Sequence, residues 1–178
     1  MIILVGPSAS GKSVVVNKMK EKYDFLKVVT YTTRPMRNGE INHIDYHFIS
    51  KEEFSQKKKE NWFIETACYN DNYYGTAYED ISENKVLIVE PSGANVYYEK
   101  LKNQVMIIYL DVSEEIRQNR MLERGDSLDS INKRMASDKE YFSFEKINHI
   151  DMIVKTDKKT IEEVTDIIVN EYKLRFKK

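Results

Sequence analysis

The chain has 178 residues, 28 of them basic and 29 acidic, for a formal net charge of −1. That balance excludes a dedicated nucleic-acid binder, whose affinity rests on an excess of basic side chains. With 41% hydrophobic and 32% charged residues the sequence fits one globular domain and excludes extended disorder. A single cysteine, Cys68, excludes an internal disulfide and a cysteine-cluster metal site, and no apolar run reaches the length of a membrane span. Met1–Val5 is too short for a signal peptide and lacks a basic leader, so the expected setting is soluble and cytoplasmic, with no membrane partner.

In chain order, Ile2–Val5 is a bare aliphatic run that reads as a strand buried on both faces, and a helix over Ser13–Tyr23 follows it directly. The segment Val28–Tyr78 differs, with Tyr and Thr clusters, an Asn38-Gly39 turn signal and short alternating runs such as Tyr46–Ile49. It reads as a small β-rich insertion packed on the sheet. Inside it, Ser50-Lys-Glu-Glu53 has the form of a capping box and opens a short helix to about Glu60. Trp62 and Cys68 read as packing residues. Val86–Glu90, Val105–Leu110 and Asp151–Val154 read as further buried strands. Helices are expected from a Ser113 cap toward Arg124, over Ser127–Phe144, and after the capping box Thr160-Ile-Glu-Glu163. Strands alternating with amphipathic helices define an α/β fold with a central, mostly parallel sheet.

Between the first strand and its helix lies Gly6-Pro7-Ser8-Ala9-Ser10-Gly11-Lys12-Ser13, which fits G-x-x-x-x-G-K-[ST] in the context that the motif requires. Its glycines let backbone N–H groups wrap phosphates, and the positive end of the following helix points at them. Lys12 is placed to reach the β- and γ-phosphates of ATP, and the Ser13 hydroxyl to ligate Mg²⁺.

A second constellation is Thr30-Tyr-Thr-Thr-Arg34-Pro-Met-Arg37-Asn-Gly-Glu40. Two arginines three apart, preceded by hydroxyls, can clamp a second phosphate with their guanidinium forks. Tyr46, Tyr73 and Tyr74 can add phenolic donors. A pair of surface salt bridges beside a tyrosine-rich minicore is the other reading of the same residues. His43, His47 and His149 share no spacing that suggests a metal site.

These motifs together resemble guanylate kinase, a nucleoside-monophosphate kinase family of the P-loop superfamily. The shared text is Gly6–Ser13, then Thr32-Thr-Arg-Pro-x-Arg-x-Gly-Glu40, Asp45-Tyr46, Phe48-Ile-Ser, Phe63-Ile-Glu65 and Asn72-Tyr-Tyr-Gly-Thr76. It continues in Arg120-Met-Leu-Glu-Arg124-Gly and Ile131-Asn-Lys-Arg-Met135. The resemblance implies one domain with a P-loop NTPase fold. Its core would cover 1–27, 79–122 and 139–178, with a GMP-binding insertion at about 28–78 and a helical lid at about 123–138.

The activity implied is direct transfer of the γ-phosphoryl of ATP, with Mg²⁺, to GMP and to dGMP. Carried over by position, Arg34, Arg37, Tyr46 and Tyr74 would hold the GMP phosphate. Glu65 would accept from guanine N1–H and the N2 amine, with the Thr30 and Thr76 hydroxyls facing O6. Glu90 ends an aliphatic strand at the edge where open α/β sheets bind ligands, a place that suits a metal-water or GMP-binding role and equally a structural one. Arg120, Arg124 and Arg134 would close over the transferring group. The partners implied are small-molecule nucleotides, bound by a monomer or a homodimer.

The sequence departs from the family pattern in four places. Where the family has Asp-x-Asp after the strand at Val86, this chain has Ile88 and Glu90. The missing first carboxylate bears on guanine selectivity. His43 replaces a glycine, Thr156-Asp157 replaces an Asn-Asp pair, and the lid is about one residue short. Two other readings stay open at this point. One is a related kinase with another phosphorylated acceptor; the other is a non-catalytic module that binds phosphoprotein partners through the old GMP site.

Overall fold

The computed structural model describes residues 1–78 and 82–176. The strands are β1 Ile2–Val5, β2 Leu26–Lys27, β3 Tyr31–Thr32, β4 His47–Phe48, β5 Phe63–Tyr69, β6 Asn72–Ala77, β7 Lys85–Ile88, β8 Met106–Asp111 and β9 Met152–Lys155. The helices are α1 Lys12–Tyr23, α2 Lys51–Lys59, α3 Pro91–Leu101, α4 Glu114–Glu123, α5 Leu128–Tyr141 and α6 Ile161–Phe176. A five-stranded, wholly parallel sheet runs in the order β2-β7-β1-β8-β9.

β1 has no polar residue because both of its faces are covered. Ile2 and Leu4 enter a core shared with Val15 and Met19 of α1 and Ile168 and Tyr172 of α6. Ile3 and Val5 point the other way, toward Tyr97 of α3, Tyr109, Phe142 and Ile147. Burying a large aliphatic or aromatic side chain contributes roughly 1.5–3 kcal/mol, so these two layers hold the central strand in place.

A second, four-stranded sheet has the order β4-β3-β6-β5. β5 and β6 form a hairpin whose turn residues, Asn70 and Asp71, both take left-handed backbone angles, with φ of 49° and 59°. Asn and Asp tolerate that region, and such turns match the strand twist of a hairpin. Among the described residues no helix is long and apolar enough to cross a membrane.

Capping decides several boundaries. Ser50 accepts from the Glu53 N–H at 3.1 Å, and Thr160 and Glu163 cap each other reciprocally. Ser113 sits at the start of α4 but makes no side-chain cap bond, contrary to expectation. Cys68 is exposed, and so is Trp62, against the reading of both as packing residues. Cys68 occupies the outward register of β5, and the Trp62 ring lies under the Lys57 ammonium at 4.6 Å.

Candidate active site

The phosphate loop runs from the end of β1 into α1. Gly11 takes φ 99°, which favours glycine, at the helix cap. A Cβ on Gly6 would stand 2.8 Å from the Leu110 carbonyl oxygen, so the loop lies directly on β8. Lys12 Nζ folds back over its own loop, donating to the Gly6 carbonyl and to the Pro7 carbonyl at 2.9 Å. Burial pulls its pKa down, opposed by the nearby Glu90 and Asp138 carboxylates. Arg120 of α4 also serves the loop, donating to the Ala9 carbonyl at 3.1 Å. Ser13 is exposed in the first turn of α1.

Beside the loop is a cavity of about 300 Å³ whose walls include Ser8, Arg34, Arg37, Tyr69, Tyr74 and Arg134. Arg34 lies over the Tyr46 and Phe48 rings, at 5.3 and 5.6 Å, and pairs with Glu40 at 2.7 Å. Arg37 makes no ion pair among the described residues. Loss of surrounding water lowers its pKa first, and the Arg34, Arg134 and Arg124 guanidiniums lower it further. Arg124 and Arg134 share one acid, Asp126, with Arg134 at 2.8 Å. Like charges held together this way are destabilising alone and suit an anion placed among them.

A narrower recess lies behind, lined by Thr30, Tyr46, Glu65, Tyr74, Ile88 and Glu90 among others. Burial pushes the Glu65 carboxyl up to about 7, although a hydrogen bond from Thr76 opposes the shift. That bond is 2.8 Å long, so in this structure the single hydroxyl proton of Thr76 is committed to Glu65. Glu90 is likewise pushed up to about 7 by burial, with Lys12 opposing, and its Oε2 has no hydrogen-bond partner among the described residues.

The structure therefore gathers Arg34, Arg37, Tyr74 and Arg134 at the mouth, with Thr30, Tyr46, Glu65 and Glu90 at the recess behind. Tyr73 is not among them. It occupies the opposite register of β6 and stacks on Phe54 at 5.5 Å.

Four residues of the site had no sequence signal. Tyr69, Arg117 and Asp138 meet at the loop, and their contacts span long chain separations. Gly93 of α3 presses against Glu65, where a Cβ would stand 3.3 Å from Oε2. His43 and His47 do meet, with Nδ1 atoms 2.7 Å apart, but no group of three or more metal-ligating residues exists among the described residues.

Known proteins share this arrangement. The family model described as guanylate kinase matches residues 1–171. The chain is 38% identical over 145 residues to the guanylate kinase of Lactiplantibacillus plantarum, across 76% of this chain and 70% of that one. It is 36% identical over 190 residues to the guanylate kinase of Mycoplasmopsis pulmonis, across 95% and 93%. The crystal structure of guanylate kinase from Anaplasma phagocytophilum superposes on it with a TM-score of 0.73 at 24% identity, over 100% of this chain and 86% of that one, a likeness of fold. A match over nearly the whole length, on a chain that sets a phosphate loop beside a second cluster of guanidiniums, makes this protein a member of the guanylate kinase family.

Proposed function

We propose that this protein transfers the γ-phosphoryl group of ATP to GMP and to dGMP. The observation that carries the reading is the shared wall of the two anion sites. Ser8 of the phosphate loop lines the same cavity as Arg34, Arg37 and Arg134, so two phosphates bound there face each other.

The chemistry follows from that geometry. The GMP phosphate is already an anionic nucleophile and needs no general base. One of its oxygens forms the new P–O bond as the bond to ADP breaks, in line. Lys12 moves from the carbonyls of Gly6 and Pro7 onto the β- and γ-phosphates. Arg37 grips the acceptor phosphate with Arg34, Tyr46 and Tyr74. Arg120, Arg124 and Arg134 offset charge on the transferring group, and a cavity closed to water strengthens each of these contacts.

The donor set available for a metal is hard oxygen, which fits Mg²⁺: the Ser13 hydroxyl and, through water, Glu90 Oε2, which has no hydrogen-bond partner among the described residues. When bound, Mg²⁺ supplies charge neutralisation at the β- and γ-oxygens. Ionised Glu65 accepts from guanine N1–H and the N2 amine, whereas adenine would set a lone pair against the same carboxylate. A site that depends on buried polar groups in this way can discriminate by ~10⁴-fold. With Ile88 in the recess in place of a carboxylate, the expected selectivity is smaller but still favours GMP.

The test is a coupled ADP-release assay across GMP, dGMP, AMP, UMP and CMP under identical Mg·ATP. GMP and dGMP should give the highest kcat/KM. Equal efficiency with AMP or a pyrimidine monophosphate would overturn the guanine assignment. Absence of any Mg·ATP binding would instead support a non-catalytic module.

A further inference from the structure

Asp138, near the end of α5, accepts from four donors. Oδ2 takes the Ser8 backbone N–H at 2.9 Å and Arg117 Nη1; Oδ1 takes the Ser8 hydroxyl at 3.2 Å and the Tyr69 hydroxyl at 2.8 Å. The Asp138 and Arg117 side chains are 1% and 5% exposed. The donors come from separate bodies: Ser8 from the phosphate loop, Tyr69 from the end of β5 in the second sheet, and Arg117 from α4. One step earlier on α5, the Ser137 hydroxyl donates to Asn70 Oδ1 at 2.7 Å, so the same helix holds the β5–β6 turn. One turn earlier still, Arg134 reaches the cavity between the two anion sites.

Stability alone does not account for this pair. Buried ion pairs are frequently no better than well-packed apolar residues of similar volume. Here Arg117 Nε is also buried without a hydrogen-bond partner among the described residues, so the pair carries an unmet cost. What is distinctive is its position. If the second sheet moved relative to the phosphate loop, either Tyr69 or Ser8 would leave the carboxylate. The arrangement in which both stay engaged is therefore favoured.

We propose that Asp138, held by Arg117, is a positioning residue that couples the two nucleotide sites by joining Ser8 on the donor side to Tyr69 on the acceptor side. The inference rests on the nucleotide reading given above. An acceptor phosphate drawn in by Arg34, Arg37 and Arg134 fixes Tyr69 and α5, and Asp138 passes that placement to the phosphate loop. A triphosphate that fixes the loop acts in reverse through the same bonds, and the coupling is equal in both directions.

The experiment is calorimetric titration of GMP with and without a saturating non-hydrolysable ATP analogue and Mg²⁺, then the converse titration. In the unaltered protein each nucleotide should tighten the other by about fivefold or more, in the ordinary range of such couplings. Tyr69→Phe keeps the ring packed on Tyr141 and Phe142 and removes only the hydroxyl, and it should bring the ratio below about twofold. Asp138→Asn should lose both the coupling and thermal stability, leaving Arg117 buried and unpaired. The double variant R117M/D138L should recover the thermal midpoint but not the coupling, which separates positioning from simple stabilisation. A ratio of one in the unaltered protein, an undiminished ratio in Tyr69→Phe, or coupling regained in R117M/D138L would each overturn the inference. Failure of the unaltered protein to bind either nucleotide would remove the nucleotide reading itself, a result distinct from bound but uncoupled nucleotides.

Discussion

Thr76 donates its hydroxyl proton to Glu65 across 2.8 Å, and both side chains are buried at the recess. Two groups that a purine edge would meet are thus already bonded to each other. Thr76 holds the carboxylate in one orientation, but burial still keeps the acid near neutrality, at about 7.

That value has a consequence for stability. The folded protein holds a proton on Glu65 that the unfolded chain has released above its ordinary value of 4.5. Stability from this group is complete at low pH and is lost as pH rises toward and through about 7. Glu65→Gln keeps an acceptor for Thr76 and carries no charge. It should be more stable than the parent at pH 8 by on the order of 1–2 kcal/mol, and no more stable at pH 4. Urea midpoints at the two pH values measure this; equal differences at both would rule out the titration of Glu65. The same variant should lose GMP turnover more than any AMP background.

Gly93→Ala tests the close approach of α3 to the recess. Alanine gains about 1 kcal/mol in helix propensity over glycine. Its methyl group, however, would stand 3.2 Å from Val89 Cβ and 3.3 Å from Glu65 Oε2. The expected result is near-unchanged thermal stability with a GMP KM raised about tenfold or more, and an ATP KM left within twofold. An unchanged GMP KM would mean that Glu65 has room to yield.

Arg37→Ala should separate function from stability. Its guanidinium stands with those of Arg34, Arg134 and Arg124, and removing one like charge relieves the others. The thermal midpoint without nucleotide should rise, while the GMP KM rises strongly and ATP affinity stays near that of the parent. Weakening of ATP binding to the same degree as GMP binding would show that the two anion sites are wrongly divided.

Lys12→Ala should reduce turnover by roughly 10³-fold or more, about 4 kcal/mol of barrier. The fold should survive, because the bonds lost are to loop carbonyls at Gly6 and Pro7 and not to the core. Near-normal turnover in steady-state assays would remove the lysine from the chemistry.

How much of this was legible in the chain depended on the distance between the interacting residues. The phosphate loop occupies eight consecutive positions, and the buried strands announce themselves as aliphatic runs, so both were readable. β2 has only two residues and was missed. α3 was missed as well. Its Gly93 and Asn95 are poor helix formers, and the glycine is explained by Glu65, which belongs to another element. The Arg34 and Arg37 pair was ambiguous from residue types alone and gained meaning from the surrounding text. Asp138 gave no signal, since its partners Ser8, Tyr69 and Arg117 lie 130, 69 and 21 positions away. Only folding brings them together.

The adjacency of β2 and β7 carries a further consequence. Leu26 pairs with Lys85 and Lys27 with Val86, and the Val28 N–H donates to the Val86 carbonyl at 2.9 Å. The chain leaves the parallel sheet and returns to it side by side on one edge, as a door hangs from a single jamb. The covalent connections of the second sheet are thus confined to one edge, whereas its ties to α5, Tyr69 to Asp138 and Asn70 to Ser137, are non-covalent. For engineering, it sets the two ends of the inserted sheet next to each other. A different sheet spliced between Lys27 and Lys85 would keep the register of β7, β1 and β8 but would have to rebuild the bond from Tyr69 to Asp138, so the two halves cannot be exchanged without regard to each other.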